Sequence, residues 1–152
     1  MLKKLFITLF LFVSLFLIDQ YIKFLFVDGY ERQGECISLI LVYNYGVAFS
    51  MFSFLEGNLK YIQIAIMSAG ILYLVFNKEV FRTYYLPSAF ILAGGIGNIY
   101  DRFLHGGVVD YIYWHCGFDF AVFNFADVII NIGVMLLLII NFKESKKLKT
   151  KS

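Results

Sequence analysis

The sequence predicts an all-α membrane protein with four transmembrane helices and a small extracytoplasmic β-element between helices 1 and 2. Hydrophobic residues make up 61% of the 152 positions, whereas a soluble domain carries about 45–50%. Charged residues make up only 16%, and four apolar segments approach the roughly 20 residues that a helix needs to cross a bilayer. We therefore expect residues 1–152 to form a single integral membrane domain.

The predicted spans cover about residues 5–27, 59–76, 84–101 and 123–142. The first is longer than the roughly 7–15-residue core of a secretory signal peptide and is not followed by a small-residue cleavage site, so we expect it to be retained. The segment 143–152 is polar throughout, and we expect it to be a mobile, basic cytoplasmic tail.

The distribution of basic residues predicts the orientation of the chain. Of the 13 Lys and Arg residues, two lie before the first span, two lie between the second and third spans, and five lie in the tail. Cytoplasmic segments are enriched in Lys and Arg. We therefore expect both termini in the cytoplasm and the loops 28–58 and 101–122 outside.

The first outer loop is predicted to contain the β-element. Residues 36–43 are rich in Ile, Leu, Val and Tyr, which favour a strand. Asn44 and Gly46, with Tyr45 between them, are typical of a turn. For residues 103–121 in the second outer loop, the sequence does not decide between a helix and a strand.

Three aspartates lie within or at the ends of the spans, where an ionised Asp costs roughly 2.5–3.5 kcal/mol by insertion scales. Asp19 is predicted to lie about 21 Å from the cytoplasmic edge of a core about 30 Å thick, and Asp127 about 6 Å below the outer surface. Asp101 ends the third span, and Asp110 lies in the outer loop that follows it. These depths predict a polar site at the outer face of the membrane. Three further polar residues fall at the same level: Asn98, Arg102 and Asn124.

Several of these polar groups also have a purely structural interpretation. Asp19 and Lys23 can form an ion pair four residues apart on one helix; the functional alternative is that Asp19 supports the site while Lys23 reaches lipid headgroups. Asn124 and Asp127 have the spacing of a helix-capping box. Asn131, however, continues the same face one turn deeper, and a cap does not require it.

The third predicted span combines small and polar residues. Gly94 and Gly97 predict close packing against a neighbouring helix. Asn98, Asp101 and Arg102 share one helix face. Packing explains the glycines, but it does not explain the polar group that follows them at the membrane edge.

The chemistry that these residues favour is hydrolysis by a pair of carboxylates. Asp110 alone could be a solvated loop acid, but Asp127 is anchored at the same surface. Two neighbouring carboxylates cannot both ionise easily, so one keeps a proton while the other activates water for attack on an amide. We do not expect His105 or His115, which lie in a loop, to act as the base. The spacing of the His and Cys residues predicts no metal site.

Cys36 and Cys116 are predicted to lie in the two outer loops. They can form a disulfide if both loops face an oxidising compartment. The simpler expectation is two free or buried thiols, and the sequence leaves the pairing open.

Five motifs, in this order, resemble the bacterial lipoprotein signal peptidases, also called signal peptidase II. They are Asp19-Gln-x-x-Lys23, Asn44-x-Gly46-x-Ala48-Phe49, Gly94-Gly-x-Gly-Asn98-x-x-Asp101-Arg102, Val108-Val-Asp110 and Phe123-Asn124-x-Ala-Asp127. Each motif alone is weak. Their order, together with the four predicted spans, extends the resemblance over essentially the whole chain.

The resemblance implies an aspartic endopeptidase of the bacterial inner membrane. Such enzymes remove signal peptides from prolipoproteins and cut just before a diacylglyceryl-modified cysteine. The implied catalytic pair is Asp110 and Asp127, with no cofactor and no metal. The implied supporting and substrate-binding residues are Asp19, Lys23, Asn44, Gly46, Asn98, Asp101, Arg102 and Asn124.

The resemblance also implies binding partners. They are lipid-modified prolipoproteins, membrane lipid and globomycin-type inhibitors. We expect the chain to act as a monomer. The net charge of +2, without a basic stripe, argues against nucleic acid as a partner.

Two other function classes are open from the residues alone. A small proton- or cation-coupled membrane transporter also carries intramembrane Asp residues. It predicts acids near the bilayer midplane and an inverted repeat between the two halves, whereas the acids here are expected at the outer edge. A structural membrane subunit gives no reason for so many converging polar groups.

Overall fold

The computed structural model describes residues 1–46, 51 and 53–149, with the backbone alone described at 53, 56, 148 and 149. Ala48 and Phe49, which belong to one of the motifs, lie outside the described residues. The described elements are α1 (Leu2–Val27), β1 (Ile37–Asn44), a short 3₁₀ helix (Ser53–Asn58), α2 (Leu59–Phe76), α3 (Lys78–Leu104), β2 (Val108–Trp114) and α4 (Phe125–Lys149).

The described chain is mostly helical, as predicted, and three of its helices are long and apolar enough to cross a membrane. These are Leu2–Val27, Leu59–Phe76 and the part of α4 at Phe125–Lys147. Most of their side chains are exposed although they are apolar, which suits helices covered by lipid rather than by protein. α3 is long enough at 27 residues, but its polar residues lower its hydropathy.

α3 is the central helix of the bundle and contacts α1, α2 and α4. Its glycines allow these contacts. A β-carbon at Gly94 would lie 2.5 Å from the backbone oxygen of Ala126, and one at Gly97 would lie 2.6 Å from the carboxylate of Asp19. The predicted packing role of both glycines is confirmed.

α3 begins before the predicted third span and bends close to its start. Tyr84 has non-helical dihedral angles (φ −108°, ψ 17°), and Pro87 follows within the helix. Proline donates no backbone hydrogen bond, and its ring disfavours a regular helix in the preceding turn. The predicted start at residue 84 therefore coincides with a bend and not with the start of the helix.

The basic segment at the end of the chain is helical as far as it is described. We expected a mobile tail from residue 143, but α4 continues to Lys149. Lys147 pairs with Glu144 at 2.7 Å, and lysines in the last turns favour the negative end of the helix dipole. The tail is therefore helical as far as Lys149, and its mobility stays a prediction.

The sheet lies at the end of the bundle where α1 ends and α4 begins. β1 pairs with β2 in antiparallel orientation, with Ile37 opposite Trp114 and Asn44 opposite Val108. The predicted strand between α1 and α2 is present, but its partner comes from the loop between α3 and α4, so the β-element is not confined to the first loop. Cys36 and Cys116 form a disulfide beside this sheet. The expectation of free thiols was therefore wrong.

Candidate active site

A β-bulge in β1 places Asn44 on the same face of the sheet as Asp110. Leu39 lies opposite Ile112, whereas Val42 lies opposite Asp110, so β1 contains one extra residue between these pairs. A register change of one residue moves the following side chains to the other face of a strand. The Asn44 side chain consequently reaches Asp110, and its Nδ2 donates to the Asp110 Oδ2 at 3.0 Å.

β2 also aligns the start of α4 with Asp110. The backbone N–H of Phe123 donates to the Ile112 oxygen at 3.0 Å, and the Ile112 N–H donates to the Phe123 oxygen at 2.8 Å. This pairing brings the next residue, Asn124, alongside Asp110. The Asn124 Nδ2 donates to the Asp110 Oδ1 at 2.7 Å.

Asn124 connects the two acids because it also caps α4. Its Oδ1 accepts the backbone N–H of Asp127 at 2.9 Å, and its own backbone N–H donates to the Asp127 Oδ2 at 3.1 Å. This is the capping box that the sequence offered as a structural explanation. The cap also fixes the Asp127 carboxylate, so the structural and functional interpretations of the motif are compatible.

Asn98 holds the other oxygen of Asp127 and joins it to a buried lysine. The Asn98 Nδ2 donates to the Asp127 Oδ1 at 3.0 Å. The Asn98 Oδ1 accepts hydrogen bonds from Lys23 at 3.0 Å and from Asn124 at 3.2 Å. These partners fix which end of the Asn98 amide faces the acid.

Lys23 lies between two carboxylates and does not reach the lipid headgroups. Its Nζ is 2.8 Å from the Asp19 Oδ2 and 2.7 Å from the Asp101 Oδ2. Lys23 is 2% exposed, and both acids are also buried. The prediction that Lys23 points to headgroups was wrong, since each buried charge requires a partner in this environment.

Arg102 anchors the turn that follows β1. Its guanidinium donates to the backbone oxygen of Asn44 at 3.4 Å and to that of Gly46. Asn44 closes the same turn through its Oδ1, which accepts the Gly46 N–H at 3.0 Å. Arg102 therefore fixes the backbone of the residue whose side chain binds Asp110.

A cavity of about 370 Å³ opens onto the two acids. Asp110, Asp127 and Arg102 form its polar side. Apolar residues from the segment before α4 and from α4 form another wall. The cavity can thus hold a short stretch of chain that presents both a polar backbone and apolar side chains.

Burial and, to a lesser extent, the negative charge of Asp127 together raise the pKa of the Asp110 carboxyl to about 7. Hydrogen bonds from Asn44 and Asn124 oppose this shift because they favour the ionised form. Asp110 is therefore protonated in a large share of molecules at neutral pH. Such a carboxyl can donate a hydrogen bond, while a neighbouring carboxylate acts as a base.

The structure brings the predicted site residues into one connected network, and it adds two residues that had no predicted role. The Gln20 Nε2 donates to Asp19 and to Asp101, at 3.1 Å each. The Tyr111 hydroxyl accepts the backbone N–H of Phe125 at 3.0 Å. Gln20 belongs to the motif Asp19-Gln-x-x-Lys23, and it is a polar residue within an apolar span, whereas a Tyr in a strand gave no signal.

The two histidines lie apart from the acids. His115 shares a hydrogen bond with Ser38 at 2.9 Å, and the ring of His105 packs near that of Tyr43. Within the described part of the chain, no group of three or more His, Cys, Asp or Glu residues is placed to hold a metal ion.

Comparison with known proteins gives consistent matches. The family model described as "Signal peptidase (SPase) II" matches residues 11–143. A lipoprotein signal peptidase of Sulfurimonas denitrificans is 56% identical over 130 residues, which cover 86% of this chain and 84% of that protein. One of Wolinella succinogenes is 52% identical over 142 residues, which cover 93% and 97%. A solved structure titled as a bacterial membrane enzyme shares the fold, with a TM-score of 0.79 at 24% identity. The match covers 92% of this chain and 90% of the chain in that structure.

Proposed function

The chain belongs to the signal peptidase II family, and we propose that Asp110 and Asp127 are the catalytic pair with which it cleaves its substrate. Membership makes the chain a protease that removes signal peptides from prolipoproteins. Because the match to lipoprotein signal peptidases covers most of this chain and most of those proteins, the transporter and structural-subunit alternatives are not retained. The roles of individual residues are the proposal.

The apolar helices and the family place the chain in the bacterial inner membrane as a multi-pass protein. We propose four spans, with α3 as the third, because α3 is long enough to cross and packs among the apolar helices. We also propose that both termini are cytoplasmic, as the basic residues predict. The acids then lie near the outer face. The Cys36–Cys116 disulfide supports this orientation, since such bonds persist in oxidising compartments.

In the proposed mechanism, Asp110 carries the proton and Asp127 acts as the base. Asp127 takes a proton from a water molecule, and the resulting hydroxide attacks the scissile carbonyl carbon. Asp110 donates a hydrogen bond to the carbonyl oxygen as negative charge develops there. When the tetrahedral intermediate collapses, the C–N bond breaks and Asp127 gives the proton that it took from water to the leaving amine, which leaves a new carboxyl and a new amino terminus. The raised pKa of Asp110 supports this division of roles.

The amides and the buried ion pairs keep the acids in position. Asn44 and Asn124 hold Asp110, while Asn98 and the cap of α4 hold Asp127. Lys23 orients Asn98 and is itself fixed by its two acids. Preorganised partners of this kind lower the reorganisation that the reaction requires.

The proposed substrate is a prolipoprotein whose signal peptide is a membrane helix, cut just before a diacylglyceryl-modified cysteine. The depth of the site supports this, because the bond that follows such a helix lies near the outer surface. We further propose that globomycin-type inhibitors occupy the same cavity, that membrane lipid surrounds the helices, and that the chain acts as a monomer.

The observation that carries the proposal is that Asn124 binds both acids at the wall of one cavity. The test is cleavage of a synthetic diacylglyceryl lipopeptide by purified protein in detergent. Asp110→Asn and Asp127→Asn are expected to lose at least about 10³-fold in kcat, as expected for loss of an essential acid or base. Asp28→Asn is the matched control, since Asp28 is an exposed acid at the end of α1. Normal turnover by either site variant would refute the assignment.

A further inference from the structure

An uncharged polar side chain on α2 faces the same cavity as the two acids. Gln63 lines the cavity together with Asp110 and Asp127. Its Oε1 is buried and has no hydrogen-bond partner within the described part of the chain. An amide left unpaired away from water costs free energy, so its position requires an explanation.

The packing of α2 shows that Gln63 is directed inward. Met67, one turn further along α2, lies against Gly95 of α3, where a β-carbon would approach its methyl group to 2.7 Å. Residues four apart share one helix face, so Gln63 faces α3 and the cavity. Its neighbours Ile62 and Ile66 are exposed, as expected for a surface covered by lipid.

A second amide lies across the cavity on α4. Asn131 is one turn beyond Asp127 and also lines the cavity. At a rise of about 1.5 Å per residue, Gln63 lies about 6 Å from the start of α2, and Asn131 lies about 9 Å from the start of α4. Each amide thus lies within the first two turns of its helix, and the same cavity reaches both.

The substrate presents unsatisfied backbone groups at this depth. The last turn of any helix leaves about four carbonyl oxygens without an internal partner. The residues around the scissile bond must also be extended to reach the acids, which frees further N–H groups. Lipid offers no hydrogen bonds to these groups, and each costs several kcal/mol if it stays unpaired. A side-chain carboxamide can bind both backbone carbonyl oxygens and backbone N–H groups, because it has a donor NH₂ group and an acceptor oxygen.

We infer that Gln63 and Asn131 bind the main chain of the substrate where its signal-peptide helix ends, just before the scissile bond. The inference rests on the proposed function and deepens it. The amides lie on two different helices that both pack against α3. They would therefore grip the substrate from two sides and set which peptide bond reaches the acids.

The test measures cleavage of a set of synthetic lipopeptides. In each peptide one backbone amide of the last signal-peptide turn, or of the residues up to the cut, is replaced by an ester. The ester removes one N–H donor and weakens one acceptor without changing the side chains. Wild type is compared with Gln63→Leu, and with Ile66→Leu as the matched control on the lipid-facing side of α2.

For Gln63→Leu we expect kcat/KM for the all-amide peptide to fall about tenfold, mostly because KM rises. A tenfold loss corresponds to the loss of one hydrogen bond worth about 1.4 kcal/mol. One ester peptide should be cleaved more slowly by wild type but should bring no further loss in Gln63→Leu, because the bond is already gone. Ile66→Leu should respond as wild type does.

Equal losses from every ester in wild type and in Gln63→Leu would overturn the inference, because a merely structural residue produces additive effects. If Gln63→Leu does not fold, as judged by thermal unfolding, Asn131→Leu is put through the same peptide set under the same criterion. Failure of the proposed function gives a different result, namely cleavage that survives in Asp110→Asn.

Discussion

The substitution Asn124→Ser separates the two tasks of Asn124. Its Oδ1 caps α4, while its Nδ2 donates to Asp110 at 2.7 Å. A serine hydroxyl also caps a helix N-terminus, but the shorter side chain has no amide that reaches Asp110. The variant therefore keeps the cap and loses the hydrogen bond to Asp110, together with the longer one, of 3.2 Å, to the Asn98 Oδ1.

The magnitude follows from the lost bond. A hydrogen bond to a charged group is worth about 1.5–3 kcal/mol, and about 1.4 kcal/mol corresponds to one pH unit of titration. The bond from Asn124 favours the ionised form of Asp110, whose pKa is about 7 with the bond present. Its loss raises that pKa. In the proposed mechanism Asp110 acts in its protonated form, so activity is lost as the pH rises through this pKa, and the basic limb should move upward by about one to two pH units.

The assay is kcat/KM for the lipopeptide between pH 5 and about 9.5, since this ratio reports the ionisations of the free enzyme. The activity at the optimum should also fall, because Asp110 is less well oriented. Asn124→Ala is the matched control for the cap, and its free energy of unfolding should be about 1 kcal/mol lower than that of Asn124→Ser. A basic limb that stays in place in folded Asn124→Ser, or that moves to lower pH, would refute the reasoning.

Three further predictions concern the buried ion network, the disulfide and the orientation in the membrane. Lys23→Met removes the positive charge that pairs with two buried carboxylates. It should lower the free energy of unfolding, measured with a chemical denaturant, by about 3–5 kcal/mol. A decrease below about 1 kcal/mol would contradict the buried ion network. Replacing Cys36 and Cys116 by Ser removes a disulfide between residues 80 positions apart. The double replacement should lower the free energy of unfolding by about 2–4 kcal/mol. Wild-type thiols should react with a maleimide only after reduction, and ready labelling without reductant would disprove the disulfide. A reporter that works only in the cytoplasm should be active when fused after Ser152, whereas activity of an export-dependent reporter there would reverse the proposed orientation.

The sequence by itself determined the features that depend on local composition. The apolar length of each span, the bias in Lys and Arg, and the cost of an aspartate in lipid are properties of short segments. They sufficed to locate α1 and α2 to within three residues, whereas α3 begins six residues before the predicted span and α4 continues seven residues beyond it. They also sufficed to predict that the polar groups converge at one end of the bundle. The capping spacing of Asn124 and Asp127 was also readable, because a cap is made within three residues.

Only the tertiary structure decided the features that depend on pairing between distant segments. The partner of β1 lies more than 60 residues away, and one extra residue in β1 determines whether Asn44 faces Asp110 or turns away from it. The direction of Lys23 was likewise undetermined, because lipid headgroups and a second acid on α3 are both possible partners for a lysine at that depth. The inward position of Gln63 depends on how α2 packs against Gly95, and no local pattern in α2 encodes that contact. Long-range contacts of this kind fix which atoms meet, and so they fix the chemistry of the site.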